Sequence, residues 1–221
     1  MKLSISTSQD AIKDASGSSY IREENVYDVK IVFASVKSTT NGAKTVDFNL
    51  EYKGNPQVIY GPTIINKNGE PNTIGMSLIN KLGVIAGLTD GQELNIESES
   101  HKVGKDQKLQ DFDVITDFSG LEVKIRVQRE YTRYNGQIRR ALHIRNVFRE
   151  DGASAAEITS GAEIGKQLQL EIEKYTTGPS YKDGVTPEEA TAWEQSQRAG
   201  NGGSTPAPTS SVVTKRSGMF S

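Results

Sequence analysis

The chain has 221 residues, of which 34% are hydrophobic, 21 are glycine and none is cysteine, which suits one ordinary core with a good deal of appended length. Without cysteine there is no disulfide framework, thiolate nucleophile or cysteine-ligated metal, and only two histidines remain for metal or acid–base work. No run approaches the ~20 apolar residues of a membrane span, and the start lacks the basic-then-apolar layout of a signal peptide, so the expected setting is cytoplasmic, with no membrane partner.

The net charge of −2 is an uneven sum. Residues 1–119 carry 12 Lys/Arg against 16 Asp/Glu, residues 120–150 carry 8 against 3, and residues 151–221 carry 6 against 9. One strongly basic stretch inside an otherwise acidic chain points to an anion-binding surface.

Residues 1–25 are polar and read as an N-terminal arm. Tyr27, Val29, Ile31 and Phe33 then alternate with Asp28, Lys30 and Val32, the period of a half-buried strand. After the turn at Asn41-Gly42, a second strand alternates Val46, Phe48, Leu50 and Tyr52 with polar neighbours and stops at Gly54-Asn55-Pro56. A third covers Val58 to Ile65, with Pro62 marking an edge or bulge. Met76, Ile79, Leu82 and Ala86 recur at helical spacing and predict a short amphipathic helix over 75–86. Residues 90–118 are acidic with poor periodicity and read as an inserted loop or a brief strand. Alternation returns at Leu121, Val123, Ile125 and Val127 and again from Ile138 to Phe148, with Asn135-Gly136 between them as the two-residue hairpin loop.

Beyond residue 150 the stripe Ile164, Leu168, Ile172 and Tyr175 predicts one helix. Thr186, Pro187 and Glu189 form the capping box of a second, which contains Trp193. From Gly200 onward Gly, Ser, Thr and Pro predict a disordered tail. The expected fold is therefore mainly β: a five-stranded, OB-fold-like, partly open barrel over residues 26–150 with one helix between strands three and four. A helical extension over 151–199 and the tail over 200–221 follow it.

With Asn135-Gly136 as the loop, Leu121, Val123, Ile125 and Val127 meet Phe148, Ile144 and Leu142 on the core face of the basic hairpin. The other face presents Lys124 and Arg126 beside Arg145, His143 and Arg139, with Arg126 directly across from Arg145. Opposed like charges destabilise a sheet by ~0.2–1 kcal/mol, so replacing both arginines by alanine is expected to leave stability unchanged or slightly raised. The hairpin tip adds Arg129, Tyr131, Arg133, Tyr134 and Arg140. Cations interleaved with rings are what single-stranded nucleic acid requires, the cations for phosphates and the rings for unstacked bases. The competing reading is that charged strand faces are usually solvated and that Tyr131 and Tyr134 cap the barrel. Tyr52 and Tyr60 fall in the apolar phase of their strands and read as core or rim.

The arrangement resembles the bacteriophage-type OB-fold single-stranded DNA-binding proteins over residues 20–150. The likeness rests on Tyr27-Asp28-Val29-Lys30-Ile31, on Asn41-Gly42 before Val46-Asp47-Phe48, on the helical stretch from Gly75 to Gly87, and on the basic hairpin from Tyr131 to Arg145. It implies a protein that coats single strands during replication and recombination in the host cytoplasm, with replication and recombination proteins as partners. Many members end in an acidic, aromatic-closed tail that recruits those partners. Here Lys215 and Arg216 precede Phe220, so the tail departs from that pattern. The alternative is a viral structural protein whose β domain and C-terminal helices mediate self-association into oligomers. No nucleophile–base spacing, helical His-Glu pair or metal-ligand set stands out, so neither enzymatic activity nor a cofactor is expected.

Overall fold

A computed structural model describes residues 19–104, 106–174 and 178–200; the expected tail and most of the expected arm lie outside them. The alternating apolar residues form the strands they predict: β1 (Asn25–Ser38), β2 (Lys44–Tyr52) and β3 (Asn55–Ile65) make an antiparallel meander. Helix α1 (Thr73–Ile85) follows, then β4 (Ile96–Val103), β5 (Lys108–Ile115), β6 (Glu122–Tyr134) and β7 (Gln137–Arg149). The sheet holds eight strands rather than five, because residues 90–118 contain the complete β4–β5 hairpin and the C-terminal region adds a two-residue strand, β8 (Ser180–Tyr181). The half-buried positions of β4 include Glu99 and His101 while Ile96 is exposed, so the strand lacks the apolar alternation that reveals one in sequence.

Strand β1 holds the sheet together by serving two neighbours along one edge. Its first half pairs with β6 from Asn25↔Val127 to Lys30↔Glu122, and Ser35 and Val36 pair with β5. Between them a bulge at Ile31/Phe33 redirects the strand, and the segment preceding β6 bonds to Ile31 from both sides, Gly120 donating to its carbonyl at 2.7 Å and Leu121 accepting from its amide at 2.8 Å. The sheet is open. Its path ends at β3, while β7 pairs only with β6, and α1 packs against both β3 and β7 where they approach one another.

The core is the inward face of this curved sheet closed by α1: Ile31, Val46, Phe48, Ile59, Ile79, Leu82, Phe118, Ile125, Val127 and Val147 are all essentially inaccessible. Each such side chain stabilises the fold by roughly 1.5–3 kcal/mol relative to exposure. Asn72 caps α1 by accepting from the Gly75 amide at 3.0 Å. The helix buries Leu78, Ile79 and Leu82 close to the predicted spacing.

The helix expected around 164–175 forms over Lys166–Glu173, and an unpredicted short helix precedes it. Helix α2 (Ala155–Ser160) is opened by a capping box in which Ser154 and Glu157 satisfy each other's backbone amides, and Gly161 ends it; α3 (Lys166–Glu173) begins only afterwards. The apolar stripe does not face inward: Ile164 and Ile172 are exposed, the buried residue of α3 is Glu171, and Tyr175 lies outside the described residues. Helix α4 (Pro187–Gly200) starts at the predicted box, with Thr186 and Glu189 bonded reciprocally. Of the arm, Ile21 is buried and its backbone bonds both ways to the Gln57 side chain at 2.8 and 2.9 Å. Among the described residues no helix is long and apolar enough to cross a membrane.

Candidate nucleic-acid interface

The basic hairpin forms around the predicted loop, with Asn135 at φ 49° and Gly136 at φ 76°, the left-handed pair that a type I′ turn requires. From Tyr134↔Gln137 to Val127↔Ile144 the pairing is as expected. There β7 carries one extra residue, Arg145, so that Arg126 faces Asn146 and not Arg145. This corrects the expected register below the bulge. Val147 takes the core position, while Phe148 is buried opposite Lys124 on the other face. The signal was present: strict alternation beyond Ile144 puts the Asn146 amide in the apolar phase, a conflict that one inserted residue removes.

The bulge puts Asn146 at a buried junction. Its side chain accepts from Lys81 at 2.9 Å and donates to Glu171 at 3.4 Å. Glu171 in turn lies 3.0 Å from Arg126, an ion pair whose side chains are 14% and 7% exposed. Lys124 is paired with Asp28, its directly opposed neighbour on β1.

Toward the tip, the extension covers the hairpin. Tyr131 is buried, stacked on Tyr181 at 5.6 Å and edge-on to Trp193 at 6.3 Å, and donates a hydrogen bond to Glu194. Burial first, then that bond, pushes its hydroxyl up to about 12. Arg129 forks onto Glu24 at 2.8 and 2.9 Å and has Glu194 at 3.5 Å. Arg133 donates to both oxygens of Glu189 at 2.7 Å, and Arg140 to Glu194 at 3.2 Å. Burial pushes the Glu194 carboxyl up, but the hydrogen bonds from Tyr131 and Arg140 outweigh it and hold the group below its ordinary range. Three tip arginines thus meet three carboxylates, a local balance near zero.

The outer strip of β7 is different. Tyr134 is 55% exposed with the Arg139 guanidinium 4.3 Å above its ring. His143 and Arg145 continue the same face toward the open end of the sheet. Arg145 donates to Gln128 at 3.0 Å and to Glu130 at 2.8 Å, and Lys182 claims the same Glu130 at 2.8 Å, with His143 at 3.4 Å. Burial raises the Glu130 carboxyl and the bonds from Lys182 and Arg145 overcome that, so it stays ionised; burial also lowers His143, which favours the neutral ring near pH 7. One carboxylate serving two permanent cations leaves a positive surplus here.

The sequence-predicted residues therefore divide. Lys124, Arg126, Arg129, Tyr131, Arg133 and Arg140 are tied to carboxylates that balance them, whereas Tyr134 at the end of β6 and Arg139, His143 and Arg145 of β7 share one face, where Arg145 and His143 have Glu130 in common with Lys182. Missed from sequence were Tyr60 of β3, which stands 55% exposed at the rim, and Lys81 of α1, both beside His143 and Arg145 in a cleft between β3, α1 and β7. A lone lysine on a helix and a tyrosine in an apolar phase carry no local mark of such a meeting. Comparison with protein-family models and with curated proteins finds no match.

Proposed function

We propose that the protein binds single-stranded DNA without strong sequence preference and coats it during phage DNA replication and recombination. The observation that carries this reading is the β7 strip, where the exposed Tyr134–Arg139 stack leads to His143 and Arg145 and cations outnumber carboxylates. Rings accept unstacked bases at ~1–3 kcal/mol each whatever the base, and the surplus charge takes the phosphates. Duplex readers usually offer a basic recognition helix, whereas Lys81 is the one cation of α1 and the other helices carry more acid than base. Fluorescence anisotropy with a labelled oligo-dT, single-stranded and annealed to its complement, tests the reading at two salt concentrations. Tighter binding of the single strand, weakening with salt, is expected; equal affinity for both forms, or none for either, removes the proposal.

A second reading, a virion structural or assembly protein, draws on the exposed Ile164, Leu170 and Ile172 around α3, which a second copy would cover. It expects stable oligomers whose mass by light scattering is indifferent to added oligonucleotide.

A further inference from the structure

The cleft at the open side of the sheet carries a more specific assignment. It encloses about 350 Å³, at the lower end of the ~300–1,000 Å³ usual for small-ligand sites. Its lining brings apolar and cationic side chains together. Tyr60 and Pro62 of β3 and Ile74 of α1 supply its apolar part, with Tyr60 55% and Ile74 81% exposed. Large apolar side chains left this open beside one another mark a contact surface, since the core would otherwise take them. Two helical turns after Ile74, Lys81 lies on the same side of α1 and reaches β7 through Asn146, a neutral partner, and among the described residues it has no ion pair. Arg145 is the other cation of the lining and shares Glu130 with Lys182.

We infer that this cleft is a subsite for one nucleotide unit, with the base laid against Tyr60 and Ile74 and the phosphate held by Lys81 and Arg145. The unit is an aromatic heterocycle joined to an anion, and the cleft brings an exposed aromatic ring and two cations into one lining. The closeness of its walls is built in. Gly61 of β3 passes so near β2 that a Cβ would lie 2.0 Å from the Val46 carbonyl oxygen, and Gly75 of α1 lies so near β3 that a Cβ would sit 1.9 Å from that of Thr63. Backbone packed this tightly fixes Tyr60 and Ile74 in relation to one another. The neutral ring favoured at His143 adds a hydrogen-bonding group to the lining. The source of the nucleotide, a strand or a free monophosphate, is the same chemistry; the strand as source rests on the function proposed above.

Two arms separate these. In the first, anisotropy with labelled oligo-dT compares the full chain with Tyr60→Ala, Tyr60→Phe, Lys81→Gln and, as a control outside the cleft, Lys102→Gln. Tyr60→Ala should weaken binding about tenfold, the loss of one base stack, while Tyr60→Phe retains it. Lys81→Gln should reduce the slope of log affinity against log salt by about 0.7, one phosphate contact. Because Tyr60 is exposed, its variants keep the wild-type melting temperature. Wild-type affinity and slope in both Tyr60→Ala and Lys81→Gln would overturn the cleft subsite and leave strand binding standing. In the second arm, ¹⁵N-labelled wild-type protein is titrated with thymidine monophosphate and separately with inorganic phosphate. Amide shifts at Tyr60, Ile74, Lys81, His143 and Arg145 with the nucleotide, and at Lys81 and Arg145 alone with phosphate, support the subsite even if no strand binds. No shift at these amides with the nucleotide, or identical shifts with phosphate, overturns it.

Discussion

Arg126 and Glu171 meet 3.0 Å apart, with side chains 14% and 7% exposed. Two charges taken out of water at that depth are tolerable only together, so removing one leaves the other stranded. Arg126→Ala is expected to cost about 3 kcal/mol or more in urea unfolding, whereas Arg126→Met with Glu171→Leu should be near neutral. Arg145→Ala should cost at most ~1 kcal/mol, because its side chain is 29% exposed and Lys182 still serves Glu130. The opposed-arginine register leads to the contrary expectation for Arg126; the inserted residue removes the opposed arginine, and Glu171 supplies the buried partner. A bulge of one residue changes every partner beyond it. Nothing in the identity of Arg126 discloses Glu171, 45 positions later on a helix whose apolar stripe points elsewhere.

At the level of elements, legibility follows amphipathicity. Strands β1, β2 and β6 each have one buried face, so their alternation is readable, and the Asn135-Gly136 turn fixes the hairpin register as far as the β7 bulge. The β4–β5 hairpin has no such contrast, since Ile96 and Leu109 are exposed along with their charged neighbours. The capping box at Ser154 and Glu157 is as regular as the one at Thr186, but no apolar run follows it to draw attention to it. Close approach is equally silent in sequence: Gly75 has an ordinary helical conformation, and its need for a hydrogen side chain comes from the Thr63 carbonyl. Gly75→Ala would on propensity alone stabilise a helix by roughly 1 kcal/mol. Here the methyl has no room, so α1 must shift off β3; we expect a net loss of about 2 kcal/mol, within the ~1–3 kcal/mol usual for overpacking. A melting temperature raised by this substitution would show that α1 does not pack against β3 as described.

For the whole molecule, the distribution of charge decides how strongly a polyanion is held. The net −2 of the chain and the excess of base in residues 120–150 both overstate the case, in opposite directions, because most of the hairpin's cations already have carboxylates. Arg129, Arg133 and Arg140 are matched by Glu24, Glu189 and Glu194, and Lys124 by Asp28. The surplus lies along β7 and the cleft: Arg139 over its tyrosine, Lys81 on a neutral amide, and one cation of the Arg145–Lys182 pair that shares Glu130. Three such charges displace about three counterions from a single strand, and at about 0.7 per phosphate the slope of log affinity against log salt should be near −2. Had every cation of the hairpin been available to phosphates, the slope would lie near −5 to −6. Affinity for oligo-dT measured over a range of sodium chloride distinguishes the two. A slope near −2 means that the strand follows the β7 strip and leaves the tip pairs closed; one beyond about −5 means that nucleic acid displaces Glu189 and Glu194 from their arginines on binding.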